Sequence, residues 1–129
     1  EMRAALIAAK ETCYLPVIAS MTFEADGRTL YGTDPLTAAV VMESLGADAI
    51  GINCSTGPSQ MKTFIEEMIH GVSIPVMAKP NAGLPKSDGK GGVCYDMDPQ
   101  PFGMEMAELV EIGATFIGGC CGTRADHDF

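Results

Sequence analysis

The chain alternates regularly between strand-like and helix-like segments. Short apolar runs, mostly rich in β-branched residues, predict four buried strands, at residues 15–23, 48–53, 74–79 and 115–119. Segments of helical composition between these runs predict four helices, at residues 2–12, 35–46, 60–70 and 101–112. Strands that alternate with helices pair in parallel through right-handed crossovers. The pattern therefore predicts an α/β fold around a parallel sheet.

Two segments of the chain are quasi-repeats. ESLGADAIGINC, residues 43–54, aligns with VEIGATFIGGCC, residues 110–121, at a constant offset that places Cys54 on Cys121. Each cysteine therefore follows a predicted strand at its carboxyl end. In parallel α/β folds, and in barrels especially, catalytic groups gather at that end.

The spacing of the cysteines predicts a shared metal site. Cys54 follows the second strand, and Cys120 and Cys121 follow the fourth. The third strand lies between these two, so their ends are roughly 10 Å apart. Barrel curvature and inward-leaning side chains shorten that distance, and neighbouring glycines let both adjacent cysteines face one ion. Asn81 follows the intervening strand and is a plausible fourth, replaceable ligand. Buried free thiols, or a disulfide between Cys120 and Cys121, remain alternative interpretations.

A site of this composition favours a particular chemistry. Three thiolates around Zn²⁺ leave a net negative charge, which weakens the Lewis acidity that hydrolysis of a carbonyl or phosphoryl group needs. A thiol that joins such a site loses its proton and keeps a nucleophilic sulfur. The site is therefore suited to alkyl transfer to a thiol.

Four motifs carry a resemblance to a known family: GINCSTGP at residues 51–58, KPNAGLP at 79–85, GGCCGT at 118–123, and MTF followed by GTDP between 21 and 35. The chain resembles the homocysteine-binding barrel of the homocysteine S-methyltransferases, most closely the cobalamin-dependent methionine synthases. The resemblance implies a (β/α)₈ TIM barrel in which these strands are the fifth to eighth. Residues 1–129 are then the C-terminal half of that barrel domain, truncated at both ends.

The resemblance also implies the site and its partners. Zinc is expected on Cys54, Cys120 and Cys121, which are the expected catalytic residues, with the homocysteine sulfur as fourth ligand. Asn81, Thr22 and Ser55 are expected to contact the substrate, Asn81 filling or bordering the fourth position when homocysteine is absent. Methylcobalamin on a separate module is the expected methyl donor, and folate-binding and corrinoid-binding modules are the expected partners. Arg124 stands where the family usually has Pro, and Thr123 with Asp126 predicts a capping box that starts the final helix.

Several alternatives stay open at this point. Betaine or S-methylmethionine could replace the cobalamin donor, or the fold could be a phosphate-binding barrel lyase or isomerase. The chain could also be an inactive half barrel that self-associates through its open sheet edges. It begins without Met and stops at Phe129, where a further helix is predicted to open, so we expect both ends to be cut and the segment alone not to turn over.

Composition excludes some classes of protein. The net charge is −9 with only eight Lys and Arg residues, which argues against nucleic acid as a partner. We expect a soluble cytoplasmic protein, since the apolar runs are too short to span a membrane. The glycine-rich residues 83–92 lack the spacing of a phosphate loop and predict a mobile loop. We expect Cys13 and Cys94 to take no part in the metal site, and His70 and His127 to be surface residues at helix ends.

Overall fold

The computed structural model of the protein describes residues 1–127. Within these residues there are four α-helices: α1 (Met2–Thr12), α2 (Pro35–Ser44), α3 (Pro58–Gly71) and α4 (Pro99–Glu111). Six strands accompany them: β1 (Ile18–Met21), β2 (Ala49–Asn53), β3 (Val76–Lys79), β4 (Lys86–Ser87), β5 (Val93–Cys94) and β6 (Phe116–Ile117). The predicted alternation of helices and strands is confirmed, with β1, β2, β3 and β6 each inside its predicted segment.

The main sheet has four strands in the order β1-β2-β3-β6, and every pair is parallel. Ser20 pairs with Gly51, Asn53 with Lys79, and Ala78 with Ile117. One strand, β3, therefore separates the two cysteine-bearing strands β2 and β6, as predicted. A parallel sheet alternating with helices is consistent with a partial barrel.

The hydrophobic core lies where α2 and α3 pack against the sheet and against each other, and where α4 packs against α3. Met61, Ile65 and Met68 form one stripe of α3, and each is at most 1% exposed. Ile52 of β2 and Ala78 of β3 face this stripe and are equally buried. The core therefore fixes β2 and β3 beside each other and, with them, the positions of their carboxyl ends. Within residues 1–127, none of the helices is long and apolar enough to cross a membrane.

Three of the four helices in the described part of the chain begin at a proline. Asp34 caps α2 as predicted, its Oδ1 accepting a hydrogen bond from the Thr37 N–H at 2.8 Å, with Pro35 in the first turn. Helices α3 and α4 begin at Pro58 and Pro99, each two residues earlier than predicted. Proline suits the first helical position because its fixed φ matches the helix and its missing N–H has no intrahelical partner to lose.

The loop predicted to be mobile, after β3, contains ordered secondary structure. Strands β4 and β5 form an antiparallel hairpin in which Lys86 pairs with Cys94. At its turn, Asp88 Oδ1 accepts hydrogen bonds from the N–H groups of Lys90 and Gly92 at 2.7 and 2.8 Å. The sequence did not predict this hairpin, in which the glycines complete an Asp-centred turn, and the mobility of the loop stays a prediction.

Two expectations near the end of the described chain are wrong. The Thr123 hydroxyl donates to the Cys120 carbonyl at 2.8 Å instead of capping a helix, and residues Ala125–His127 form one 3₁₀ turn. His127 is buried, because its ring packs edge-on against Phe102 and its Nε2 lies 3.0 Å from the Met97 carbonyl oxygen. His70 is exposed at the end of α3, as predicted. The helix predicted to open at Phe129 lies outside the described residues.

Candidate metal centre

The first cysteine stands in a tight turn directly after β2. Cys54 and Ser55 both have left-handed backbones, with φ of 68° and 61°. Residues other than glycine seldom adopt this conformation, because it costs about 1–3 kcal/mol. It persists only where surrounding contacts offset that cost. Here the Cys54 N–H donates to the Lys79 carbonyl at 3.0 Å and the Thr56 N–H donates to the Cys54 carbonyl at 2.8 Å. The turn therefore holds the Cys54 side chain at the carboxyl edge of the sheet.

The other two cysteines lie beyond β6, where the chain has left the strand conformation. The Cys120 N–H donates to the Pro80 carbonyl at 2.8 Å, and the Ala82 N–H donates to the Cys121 carbonyl at 2.9 Å. Adjacent residues of a regular strand point to opposite faces, but that constraint does not apply after Ile117. The loop that follows β3 therefore sets the positions of both cysteines.

The three sulfurs come together. Their Sγ atoms all lie within 4.8 Å of one another, and those of Cys54 and Cys121 are 3.6 Å apart. Two sulfurs bound at about 2.3 Å to a tetrahedral zinc ion lie about 3.8 Å apart, so the spacing fits such an ion. All five cysteines are free thiols, so Cys120 and Cys121 do not form the alternative disulfide. The donor set and the spacing both fit zinc.

Charge is distributed unevenly over this cluster. Partial burial acts to raise the pKa of Cys54, but hydrogen bonds from the Ser55 backbone, the other two cysteines and Asn81 outweigh it and lower that pKa. The hydrogen bond with Cys54 raises the pKa of Cys121. Cys54 is therefore the first of the two to ionise, and the Cys121 thiol then donates to it.

Asn81 lies between the two cysteine loops and is 1% exposed. Its backbone N–H donates to the Thr56 carbonyl at 2.9 Å, and its side-chain Oδ1 accepts from the Cys121 N–H at 3.0 Å. The same side chain also acts to lower the pKa of Cys54. Asn81 thus ties the three loops that follow β2, β3 and β6 into one unit, while its role toward a substrate or ion stays a prediction.

The remaining predicted residues differ in their distance from the cluster. Ser55 is half-buried and adjoins Cys54, whereas Thr22 is exposed directly after β1. Both lie at the carboxyl edge of the sheet, and their contact with substrate stays a prediction. Cys94 is exposed on the hairpin, and Cys13 directly follows α1. Neither belongs to the cluster.

Tyr95 is a residue of this site that sequence reasoning missed. Burial and the nearby Cys121 sulfur raise the pKa of its hydroxyl, and Tyr95 in turn acts to lower the pKa of Cys121, so the phenol lies beside this sulfur. The available signal was weak: one aromatic residue in the loop that follows the strand between the cysteines. A second missed contact joins the Ser20 hydroxyl to Asn53 Oδ1 at 2.6 Å, immediately before Cys54.

The chain matches the family model described as homocysteine S-methyltransferase over residues 1–127. It is 38% identical over 115 residues to the methionine synthase of Mycobacterium leprae (strain TN). It is also 38% identical over 115 residues to the methionine synthase of Mycobacterium tuberculosis (strain ATCC 25618 / H37Rv). Each match covers 88% of this chain and 10% of the relative, so the chain spans about a tenth of the length of these proteins. The chain belongs to the homocysteine S-methyltransferase family.

Proposed function

We propose that this chain forms the zinc-binding, thiol-activating part of a homocysteine S-methyltransferase of the methionine synthase type. In that reaction the homocysteine thiol loses its proton, its sulfur gains a methyl group from a donor, and methionine is the product. One observation carries the proposal: the Sγ atoms of Cys54, Cys120 and Cys121 lie within 4.8 Å of one another at the carboxyl edge of a parallel sheet. The family membership and the donor set both support it.

The proposed residue roles follow from the contacts of the cluster. Zinc held by three thiolates supplies stabilisation for a substrate thiolate without removing its nucleophilicity. Cys54 provides the first thiolate of the set, because its hydrogen bonds lower its pKa. Asn81 keeps the loops of Cys54 and Cys121 in register through its hydrogen bonds with the Thr56 carbonyl and the Cys121 N–H. Ser55 and Thr22 lie at the same edge of the sheet, from which they contact homocysteine.

The methyl donor and the partners belong to the same proposal. The motifs around Cys54 and Cys121 favour methylcobalamin, carried on a corrinoid-binding module, with a folate-binding module to regenerate it. Two of the relatives that support this assignment are named methionine synthases, and the chain spans about a tenth of each. Five free thiols fit a reducing cytoplasm.

The TIM barrel is also proposed. Within residues 1–127 the main sheet ends at β1 on one side and at β6 on the other. In a (β/α)₈ barrel these strands pair with others, so that the backbone groups at both edges are satisfied. We propose that the chain is the C-terminal half of that barrel, and that in isolation it self-associates and does not turn over. Positioning errors of about 1 Å can cost on the order of 10²-fold in rate.

The proposal is tested on the protein that contains this chain, purified with zinc. We expect methyl transfer from methylcobalamin to homocysteine, and loss of that activity in Cys121→Ala but not in Cys94→Ser. Betaine and S-methylmethionine, supplied in parallel, identify the donor. Calorimetry in buffers of different ionisation enthalpy should show proton release when homocysteine binds, since a free thiol of pKa about 8.5 must ionise. Full activity of Cys121→Ala would overturn the assignment.

A further inference from the structure

We propose that Tyr95 is a positioning residue that acts through Cys121, holding its sulfur in the ligating orientation and tuning its electron density. The inference rests on the proposed zinc site and adds a residue outside the expected ligands and substrate contacts. Tyr95 follows β5 directly and belongs to the long connection between β3 and α4. Its place beside the cluster is therefore decided by the hairpin and not by the main sheet.

The Tyr95 side chain packs directly against the backbone of Gly122, the residue that follows Cys121. A Cβ added at Gly122 would lie 2.4 Å from Tyr95 Cβ and 2.6 Å from its Cγ, both far inside van der Waals contact. Gly122 also has a φ of +81°, which L side chains rarely adopt. Position 122 thus accepts the tyrosine ring only because it lacks a side chain. From this position the Tyr95 hydroxyl comes close enough to the Cys121 sulfur for the two groups to shift each other's pKa, and we infer that the hydroxyl donates to that sulfur.

The two residues that follow Tyr95 are held by contacts with three other segments of the chain. Lys86 on β4 forms an ion pair with Asp96, the residue after Tyr95. The Met97 N–H donates to the Ala82 carbonyl at 3.1 Å, and the Met97 carbonyl oxygen lies 3.0 Å from Nε2 of the buried His127. These contacts link the Tyr95 segment to the loop after β3 and to the segment after Cys121. The phenol is therefore preorganised before any ligand binds.

Cys121 is the sulfur that needs such a partner. It is exposed, whereas Cys54 and Cys120 are half-buried, and Cys54 already receives hydrogen bonds from the Ser55 backbone and Asn81. An exposed thiolate retains rotamer freedom and is open to water. A phenol that donates to it restricts the rotamer and withdraws electron density from the sulfur. Outer partners of this kind orient metal ligands, and their loss typically weakens metal binding about 10- to 100-fold.

The test is Tyr95→Phe, which removes the hydroxyl and keeps the ring on Gly122. Tyr14→Phe is the matched control, because Tyr14 is fully exposed and belongs to no part of the site. Both variants are made in the protein that contains this chain. Zinc affinity is measured by competition with a chromophoric chelator, and cobalt(II) replaces zinc for absorption spectra. We expect Tyr95→Phe to bind zinc about 10-fold more weakly and to shift the sulfur-to-cobalt charge-transfer band to longer wavelength, since the thiolate becomes more electron-rich.

The controls separate the possible outcomes. Tyr14→Phe should match the parent protein in zinc affinity and in the cobalt band. A Tyr95→Phe protein with an unshifted band and unchanged zinc affinity overturns the inference, and so does one that only loses thermal stability, because packing alone moves stability without moving the band. If the parent protein binds neither zinc nor cobalt, the proposed function fails and the inference fails with it. Metal binding by the parent with no effect of Tyr95→Phe refutes the inference alone.

Discussion

The helix-covered face of the sheet and its carboxyl edge are held together by different forces. On the helix-covered face, Ile52, Met61 and Ile65 are at most 1% exposed and pack against many apolar neighbours. At the carboxyl edge, Cys54 and Ser55 have strained left-handed backbones, and long-range hydrogen bonds from neighbouring loops fix the cysteines. Apolar packing is redundant and non-directional, whereas each of these hydrogen bonds has one partner. Substitutions in the two regions should therefore separate stability from metal binding.

The largest expected effect is at the carboxyl edge. Cys121→Ala leaves two of the three clustered sulfurs, so zinc should fall from about one ion per chain to none in elemental analysis of the intact protein. The free energy of unfolding of the metal-free protein should change little, because the Cys121 side chain is exposed. Cys13→Ser and Cys94→Ser are the matched controls and should retain zinc. Zinc retained in Cys121→Ala but lost in Cys94→Ser would reverse the ligand assignment.

A core substitution should show the opposite pattern. Ile65→Ala on α3 removes a side chain that is 0% exposed, and the resulting cavity should cost about 2–5 kcal/mol in a urea titration. Val110→Ala, at a residue that is 48% exposed on α4, should stay within about 0.5 kcal/mol. Zinc affinity of the folded Ile65→Ala protein should match the parent. A large loss of affinity at equal folded fraction would show that the core and the edge are coupled.

Asn81 lies at the junction of the two regions and sharpens the comparison. Asn81→Ala removes the acceptor for the Cys121 N–H and the side-chain amide that acts to lower the pKa of Cys54. The pKa of Cys54 should rise, and zinc affinity should fall about 10- to 100-fold in chelator competition. Alkylation of Cys54 in the metal-free protein, followed by mass spectrometry as pH is varied, should shift to higher pH. An unchanged alkylation profile would mean that Asn81 does not stabilise the thiolate.

The smallest expected effect is at the start of α2. Hydrogen bonds from the Thr37 backbone and hydroxyl lower the pKa of Asp34 below its ordinary 3.8. Because this pKa is lower in the folded state, the carboxylate contributes its full stabilisation above the unfolded-state pKa. That stabilisation is lost as the pH falls through the folded-state pKa. Asp34→Ala should therefore be slightly less stable than the parent at pH 7 and equal to it in acid. Zinc affinity should not change, and a difference in stability that persists at low pH would contradict the capping role.

Much of the framework could be predicted because its signals are local. Apolar runs with β-branched residues marked the four parallel strands, and Asp34 before Pro35 marked the start of α2. The quasi-repeat that aligns Cys54 with Cys121 predicted that each cysteine follows a strand at its carboxyl end. The sheet order confirms that these two strands, β2 and β6, lie on either side of β3. Parallel pairing then brings such ends to the same edge, so the cysteine cluster followed from spacing and topology together.

The rest depended on contacts between residues distant in the chain. The sequence predicted a loop after β3 but not the hairpin that Asp88 closes there, which is followed by Tyr95 packed against Gly122. His127 looked like a surface residue, yet Phe102 and the Met97 carbonyl bury it. Composition and periodicity report the preference of a segment for helix, strand or turn. They do not report which distant side chain fills the space above a glycine such as Gly122, because that is decided only when the packed chain brings the two together.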